Sequence, residues 1–320
     1  MQHFTDELAA AVASRRAPVC VGLDPRWEQL PAALKQAPVG GSKLWVAEHA
    51  GFSQRATAYL AFCRGIIDVV APLVPAVKPQ AAFFEELGPP GMAALKEVIL
   101  YAQDHGLLVI LDAKRGDIGS TAEAYARGML GRGGQSAWSA DALTVNPYLG
   151  QDSLEPFVET AKARAAGLFV LVKTSNPGGA MLQDLPAQGR PIYRHVAELV
   201  ERLAEETAGT SGYGVVGAVA GATYPQQLAE LREAMPHAWL LVPGYGSQGG
   251  AAADAAAAFD ERGLGAIVNN SRGIIFAHSR TEYAERFGDA RWQDAVAAAT
   301  TAMIDDLRSE TPAGKLAPIT

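Results

Sequence analysis

The chain has 320 residues, is 49% hydrophobic and 19% charged, and carries a formal net charge of −7 at pH 7. That apolar content supports one large core or two modest ones and excludes a disordered chain. The acid excess excludes a sequence-independent nucleic-acid binder, which needs a basic face, but leaves room for a small phosphorylated molecule at a local anion site.

Cys20 and Cys63 lie in apolar surroundings and read as reduced core thiols. Asp6 and Glu7 sit where an apolar signal region would be, so no secretory signal is expected. No stretch of about twenty apolar residues is free of charges and turns, so no membrane span is expected and the protein is placed in the cytoplasm.

Residues 5–16 read as a short amphipathic helix. The run from Pro18 to Pro25 reads as a strand that ends on Asp24 and stops at a proline. Residues 26–52, rich in proline, glycine and tryptophan, read as an insertion with a short helix around Lys43–His49. A helical pattern over 54–70 leads to a strand from Val74 to Pro79 that carries Lys78 at its end. Helix 89–105 leads to strand 107–114, and helix 121–131 to strand 142–148. Helix 153–165 precedes strand 168–174, helix 191–207 precedes strand 215–222, and helix 225–234 precedes strand 239–244. An alanine-rich helix over 249–261 leads to strand 266–270, and a last helix covers 290–309.

Eight short apolar strands alternating with helices predict parallel β-α units, which close most simply into a (β/α)8 TIM barrel of the α/β class. An open doubly wound sheet is the alternative, but no G-x-G-x-x-G follows the first strand. No composition boundary divides the chain, so residues 1–320 are expected to form one barrel domain.

The most informative stretch is Asp112-Ala113-Lys114-Arg115-Gly116-Asp117-Ile118-Gly119-Ser120-Thr121. It follows the apolar run Leu107–Leu111, and strand alternation would project Asp112 and Lys114 to one face at the strand's C-terminal end. Ser120 and Glu123 have the spacing of a capping box for the next helix. A loop of this composition also serves as a surface ion-pair cluster. Acid and lysine, however, recur on the tips of consecutive strands, at Asp24, Lys78, Asp112, Lys114 and Lys173-Thr174-Ser175, which a barrel turns toward one mouth. The loops after strands seven and eight carry Pro243-Gly244-Tyr245-Gly246-Ser247-Gln248-Gly249-Gly250 and Ser271-Arg272-Gly273. Glycines let backbone N–H groups converge on an anion, and an arginine forks two donors onto phosphate oxygens, where barrels usually hold phosphate. The six histidines show no ligand spacing, so no zinc site is proposed; Glu85-Glu86 reads more readily as a helix start than as a metal pair.

These motifs together resemble orotidine 5'-phosphate decarboxylase, in its longer bacterial (type 2) branch. The resemblance rests on Asp112-x-Lys114-x-x-Asp117-Ile118-x-x-Thr121, Leu23-Asp24-Pro25, Val77-Lys78-Pro79, Thr174-Ser175-Asn176-Pro177-Gly178 and the two phosphate loops. It implies decarboxylation of orotidine 5'-phosphate to uridine 5'-phosphate with no cofactor and no metal. Lys78, Asp112, Lys114 and Asp117 would form the catalytic charge array, with Lys114 protonating C6. Asp24, Lys78 and Thr121 would hold the ribose, and Thr174 or Ser175 the pyrimidine edge. Pro243, Gln248, Gly249, Arg272 and Gly273 would surround the phosphate. Asp117, Ile118 and Thr121 would reach into the other site of a homodimer. Two rivals remain: a magnesium-dependent phosphosugar lyase on the same barrel, which resemblance suggests would place an acid where Lys78 sits, and a non-catalytic nucleotide-phosphate sensor.

Overall fold

The computed structural model describes residues 3–36, 50–246 and 250–317. Eight parallel strands close into a barrel in chain order. They are β1 (Val19–Leu23), β2 (Ala76–Pro79), β3 (Leu108–Arg115), β4 (Ala142–Val145), β5 (Gly167–Lys173), β6 (Val216–Ala220), β7 (Leu240–Val242) and β8 (Ala266–Asn270). The strands are almost wholly buried because the interior fills one face and the outer helices cover the other. That is why they read as unbroken apolar runs rather than alternating ones. Closure is by β1, where Val21 pairs with Val77 of β2 and with Asn270 of β8.

The expected helices over the strand crossings are present as Ala50–Val70, Gly88–Asp104, Gly119–Met129, Gln151–Ala163, Ile192–Glu205 and Pro225–Ala234. Phe4–Arg15 plugs the floor: Phe4 meets Phe169 edge-on at 6.3 Å, and its ring fills the space a side chain at Gly167 would need. The last helix, Trp292–Glu310, returns across Ala50–Val70, with Trp292 against Phe62 at 5.2 Å between ring centroids. No helix among the described residues is long and apolar enough to cross a membrane.

Two local expectations fail. The alanine-rich segment forms only a 3-10 turn, Ala253–Ala258, in place of a full helix. High helix propensity is a weak prior, and a run this short gains little without an amphipathic face to bury. Ser120 does not cap its helix: Gly119, at φ +51°, already begins the helix, Ile118 occupies the cap position, and Glu123 pairs with Arg127 at 2.9 Å. The segment after β5, given no element in advance, folds into Ala180–Gln183 and a two-residue ladder of Pro186–Ala187 with Arg190–Pro191. The helix expected around Lys43–His49 lies outside the described residues.

Candidate active site

Burial along β3 stops just past its first charge: residues 108–112 are buried, and 113–115 emerge at the barrel's C-terminal mouth. There the strand ends surround a cleft of about 310 Å³. Lys78 from β2 and Asp112 from β3 are 5% and 6% exposed. Lys78 Nζ donates to Asp112 Oδ2 at 2.7 Å, and Lys114 Nζ donates to Oδ1 at 2.5 Å. Gln80 Nε2 adds a bond to Oδ2 at 3.0 Å, and Thr144 Oγ1 adds one to Oδ1 at 2.9 Å. Each carboxylate oxygen therefore takes one ammonium and one neutral donor.

This pairing sets the charge states. Burial alone would push the Asp112 carboxyl up, but the Lys78 and Lys114 ammoniums outweigh it and hold Asp112 well below the usual carboxylate range. Burial alone would push the Lys78 ammonium down, but Asp112 and Asp24 outweigh it and hold Lys78 above the usual lysine range. Cys20, in the barrel interior beneath them, is pushed up to about 12 by burial, so it is a neutral core thiol, as its surroundings suggested.

Asp112 and Lys114 meet as expected, but not by regular strand alternation. Lys114 is left-handed at φ +48°, and the β3–β4 register shifts between Leu111 and Arg115. A non-glycine residue held there costs of order 1–3 kcal/mol and persists only where its surroundings fix it. Thr144 Oγ1 accepts the amides of Ala113 at 3.1 Å and Lys114 at 2.9 Å, and Arg115 holds the Ala113 carbonyl at 2.9 Å while pairing with Glu85. The Lys114 side chain stays 45% exposed toward the cleft, against 9% for Asp112.

The remaining expected residues divide into three groups. Asp24, Thr174, Ser175, Pro243 and Arg272 line the same cleft. The Asp24 Oδ1 atom is buried and accepts no hydrogen bond among the described residues. Thr174 Oγ1 is tied to Asn176 at 2.6 Å and to Gln183 at 2.8 Å, whereas no such bond holds the Ser175 hydroxyl among the described residues. Gly273 lines the adjoining hollow with its amide on Asn270 Oδ1 at 3.2 Å, and a side chain there would strike that same oxygen. Asp117, Ile118 and Thr121 lie outside the cleft of their own chain, and Asp117 joins no ion pair among the described residues; its carboxylate accepts the Ile118 amide at 2.8 Å. Gln248 and Gly249 lie outside the described residues. The flanks of their loop are pinned by Gly246 N on Gly250 O at 2.8 Å, and Tyr245 Oη reaches Asp306 on the last helix at 2.9 Å.

Lys173 departs from expectation. It is buried and turned away from the mouth, pairing with Asp184 at 2.5 Å and lying over the Tyr193 and Tyr224 rings. A β5 tip has two faces, and here the lysine takes the one covered by helix Ile192–Glu205. Arg115, Arg132 and Asn146 do not line the cleft. Asn269 and Asn270, at the start of the eighth-strand loop, do line it, as do Gln80 and Thr144, which carried no site role in the sequence. Gln80 stands two residues after Lys78, and that alternation was a usable signal; Thr144 has no mark apart from its neighbours in space.

An ammonium–carboxylate–ammonium array lies at the C-terminal mouth of a (β/α)8 barrel, in one cleft with Arg272 and the Pro243-Gly244 turn, where barrel enzymes keep their sites. The family model described as "Orotidine 5'-phosphate decarboxylase / HUMPS family" matches residues 17–287, and the chain belongs to that family. A Rhodopirellula baltica protein named orotidine 5'-phosphate decarboxylase is 56% identical over 310 residues, which is 96% of this chain and 100% of that one. A Deinococcus radiodurans protein of the same name is 43% identical over 275 residues, 86% of this chain and 89% of that one. The solved structure of Leishmania donovani OMP decarboxylase matches with a TM-score of 0.71 and 33% identity, covering 97% of this chain and 98% of that one. These relatives support neither the phosphosugar lyase nor the sensor.

Proposed function

We propose that this site converts orotidine 5'-phosphate to uridine 5'-phosphate in pyrimidine biosynthesis, through a C6 carbanion that Lys114 protonates. The observation that carries the reading is the Lys78–Asp112–Lys114 array, buried at one side and open to the cleft at Lys114. Loss of CO2 from C6 leaves an electron pair with little resonance relief. The chemistry needs positive charge already oriented at that carbon and shielded from water. The Lys114 ammonium meets the need and is then the proton source: its N–H bond breaks as the C6–H bond forms. Asp112 fixes both ammoniums and lies against the substrate carboxylate, a destabilisation that ranks below stabilisation of the carbanion.

Arg272 and Pro243 line the cleft, and this reading assigns them, together with Gln248, Gly249 and Gly273, to the phosphate. Phosphate binding remote from C6 supplies energy for orienting the reacting ring. The unpartnered Asp24 carboxylate oxygen suits a ribose hydroxyl. Between the two adjacent hydroxyls, Ser175 is favoured for the pyrimidine edge, because Thr174 is occupied by Asn176 and Gln183.

The reading includes a homodimer in which Asp117, Ile118 and Thr121 enter the partner's site. Ile118 is 56% exposed, and Tyr148 and Leu149 on the next strand tip are 76% and 50% exposed, an apolar rim suited to burial against a second copy. One barrel domain and a cytoplasmic location belong to the same reading. The test is to add orotidine 5'-phosphate with a metal chelator present and follow pyrimidine absorbance and CO2 release. Stoichiometric CO2 is expected; inertness, or turnover only after magnesium is added, would overturn the assignment.

A further inference from the structure

We infer that Thr144 is a positioning residue for the proton transfer, holding both ends of Lys114 through a single oxygen. The inference rests on the proposed role of Lys114. Thr144 is 1% exposed on β4, and its hydroxyl is saturated. A hydroxyl has one proton to donate and two lone pairs. The lone pairs take the Ala113 and Lys114 amides at 3.1 and 2.9 Å, so the proton is directed to Asp112 Oδ1 at 2.9 Å. Asp112 Oδ1 in turn holds the Lys114 ammonium at 2.5 Å. One atom thus fixes the left-handed backbone of Lys114 and the carboxylate that aims its side chain.

The arrangement also serves the step after protonation. When the carbanion's electron pair takes a proton from Nζ, Lys114 becomes a neutral amine and Oδ1 loses its ion partner. The Thr144 O–H remains as donor to that oxygen and keeps Asp112 in place until a proton from solvent restores the ammonium. Gln80 Nε2 likewise donates to Oδ2, beside Lys78, which keeps its proton throughout.

The experiment compares Thr144→Ser, Thr144→Ala and Thr144→Val with Lys114→Ala, using thermal melts to confirm folding. Valine keeps the shape without the hydroxyl, alanine leaves room for a water, and serine keeps the hydroxyl. Displacement of a reacting group by about 1 Å costs about 100-fold, so kcat in Thr144→Val should fall about 10- to 100-fold with KM changed less than about twofold. Thr144→Ser should recover kcat to within about threefold of wild type, with Thr144→Ala between the two. Equal losses in serine and valine, showing that the retained hydroxyl restores nothing, or unchanged kcat in valine, would overturn the inference. If valine does not fold, kcat in alanine at least about tenfold below serine supports it, and equality overturns it. Activity retained in Lys114→Ala would instead sink the lysine reading on which this rests, separating the two failures.

Discussion

Removing the carboxylate at the centre of the charge array should cost more stability than removing its buried ammonium. In Asp112→Asn, the amide keeps one accepting oxygen where the carboxylate met four donors. Its NH2 must face either Lys78 and Gln80 or Lys114 and Thr144. If it faces Lys78, an ammonium in a residue 5% exposed is left without its partner. Breaking a buried pair this way costs about 3–5 kcal/mol. At about 2 °C per kcal/mol for a chain of this size, Tm should fall about 6–10 °C. In Lys78→Met, Asp112 keeps Lys114 at 2.5 Å together with Gln80 and Thr144. The loss is then that of one charged hydrogen bond, about 1.5–3 kcal/mol. Combining the two removes the orphaned ammonium, so the double variant should be less destabilised than the sum by about 2–3 kcal/mol. Urea unfolding at pH 7 and one fixed protein concentration measures all four forms, since an oligomer's stability depends on concentration. Additivity within about 0.5 kcal/mol, or a greater cost for Lys78→Met than for Asp112→Asn, would refute the reasoning.

Two further outcomes are expected. The depressed Asp112 carboxyl contributes stability that is present above about pH 4 and lost as pH falls through its folded value, while the elevated Lys78 contributes stability present below about pH 10 and lost as pH rises through its own. The stability gap between wild type and Asp112→Asn should therefore be flat from about pH 5 to 9 and shrink toward pH 2; a gap that widens in acid contradicts the assignment. Lys114→Ala and Asp117→Ala proteins, each inactive alone, should regain about a quarter of wild-type activity after subunit exchange, because half the dimers then carry one intact site. No recovery, with exchange verified by mass, would mean that Asp117 acts within its own chain or not at all.

The chain's local pattern determined the barrel. Each strand is buried on both faces, so it appears as a short apolar run, and each crossing helix appears as a longer amphipathic one; eight repeats leave little choice of closure. The acid and lysine tips were legible for a similar reason, since charges that follow an apolar strand mark the barrel's mouth, and Asp112 is the last buried residue of β3. What the sequence alone did not decide depends on which neighbours meet in space. Lys173 and Lys78 look alike as strand-end lysines, yet one turns outward to Asp184 and the other inward to Asp112. The left-handed turn at Lys114 is stabilised by Thr144 from the adjoining strand, 30 residues on, a hydrogen bond that no local propensity encodes. Side-chain direction at a strand tip, and strain borne by a non-glycine residue, are set by partners remote in the chain, so only the closed barrel decided them.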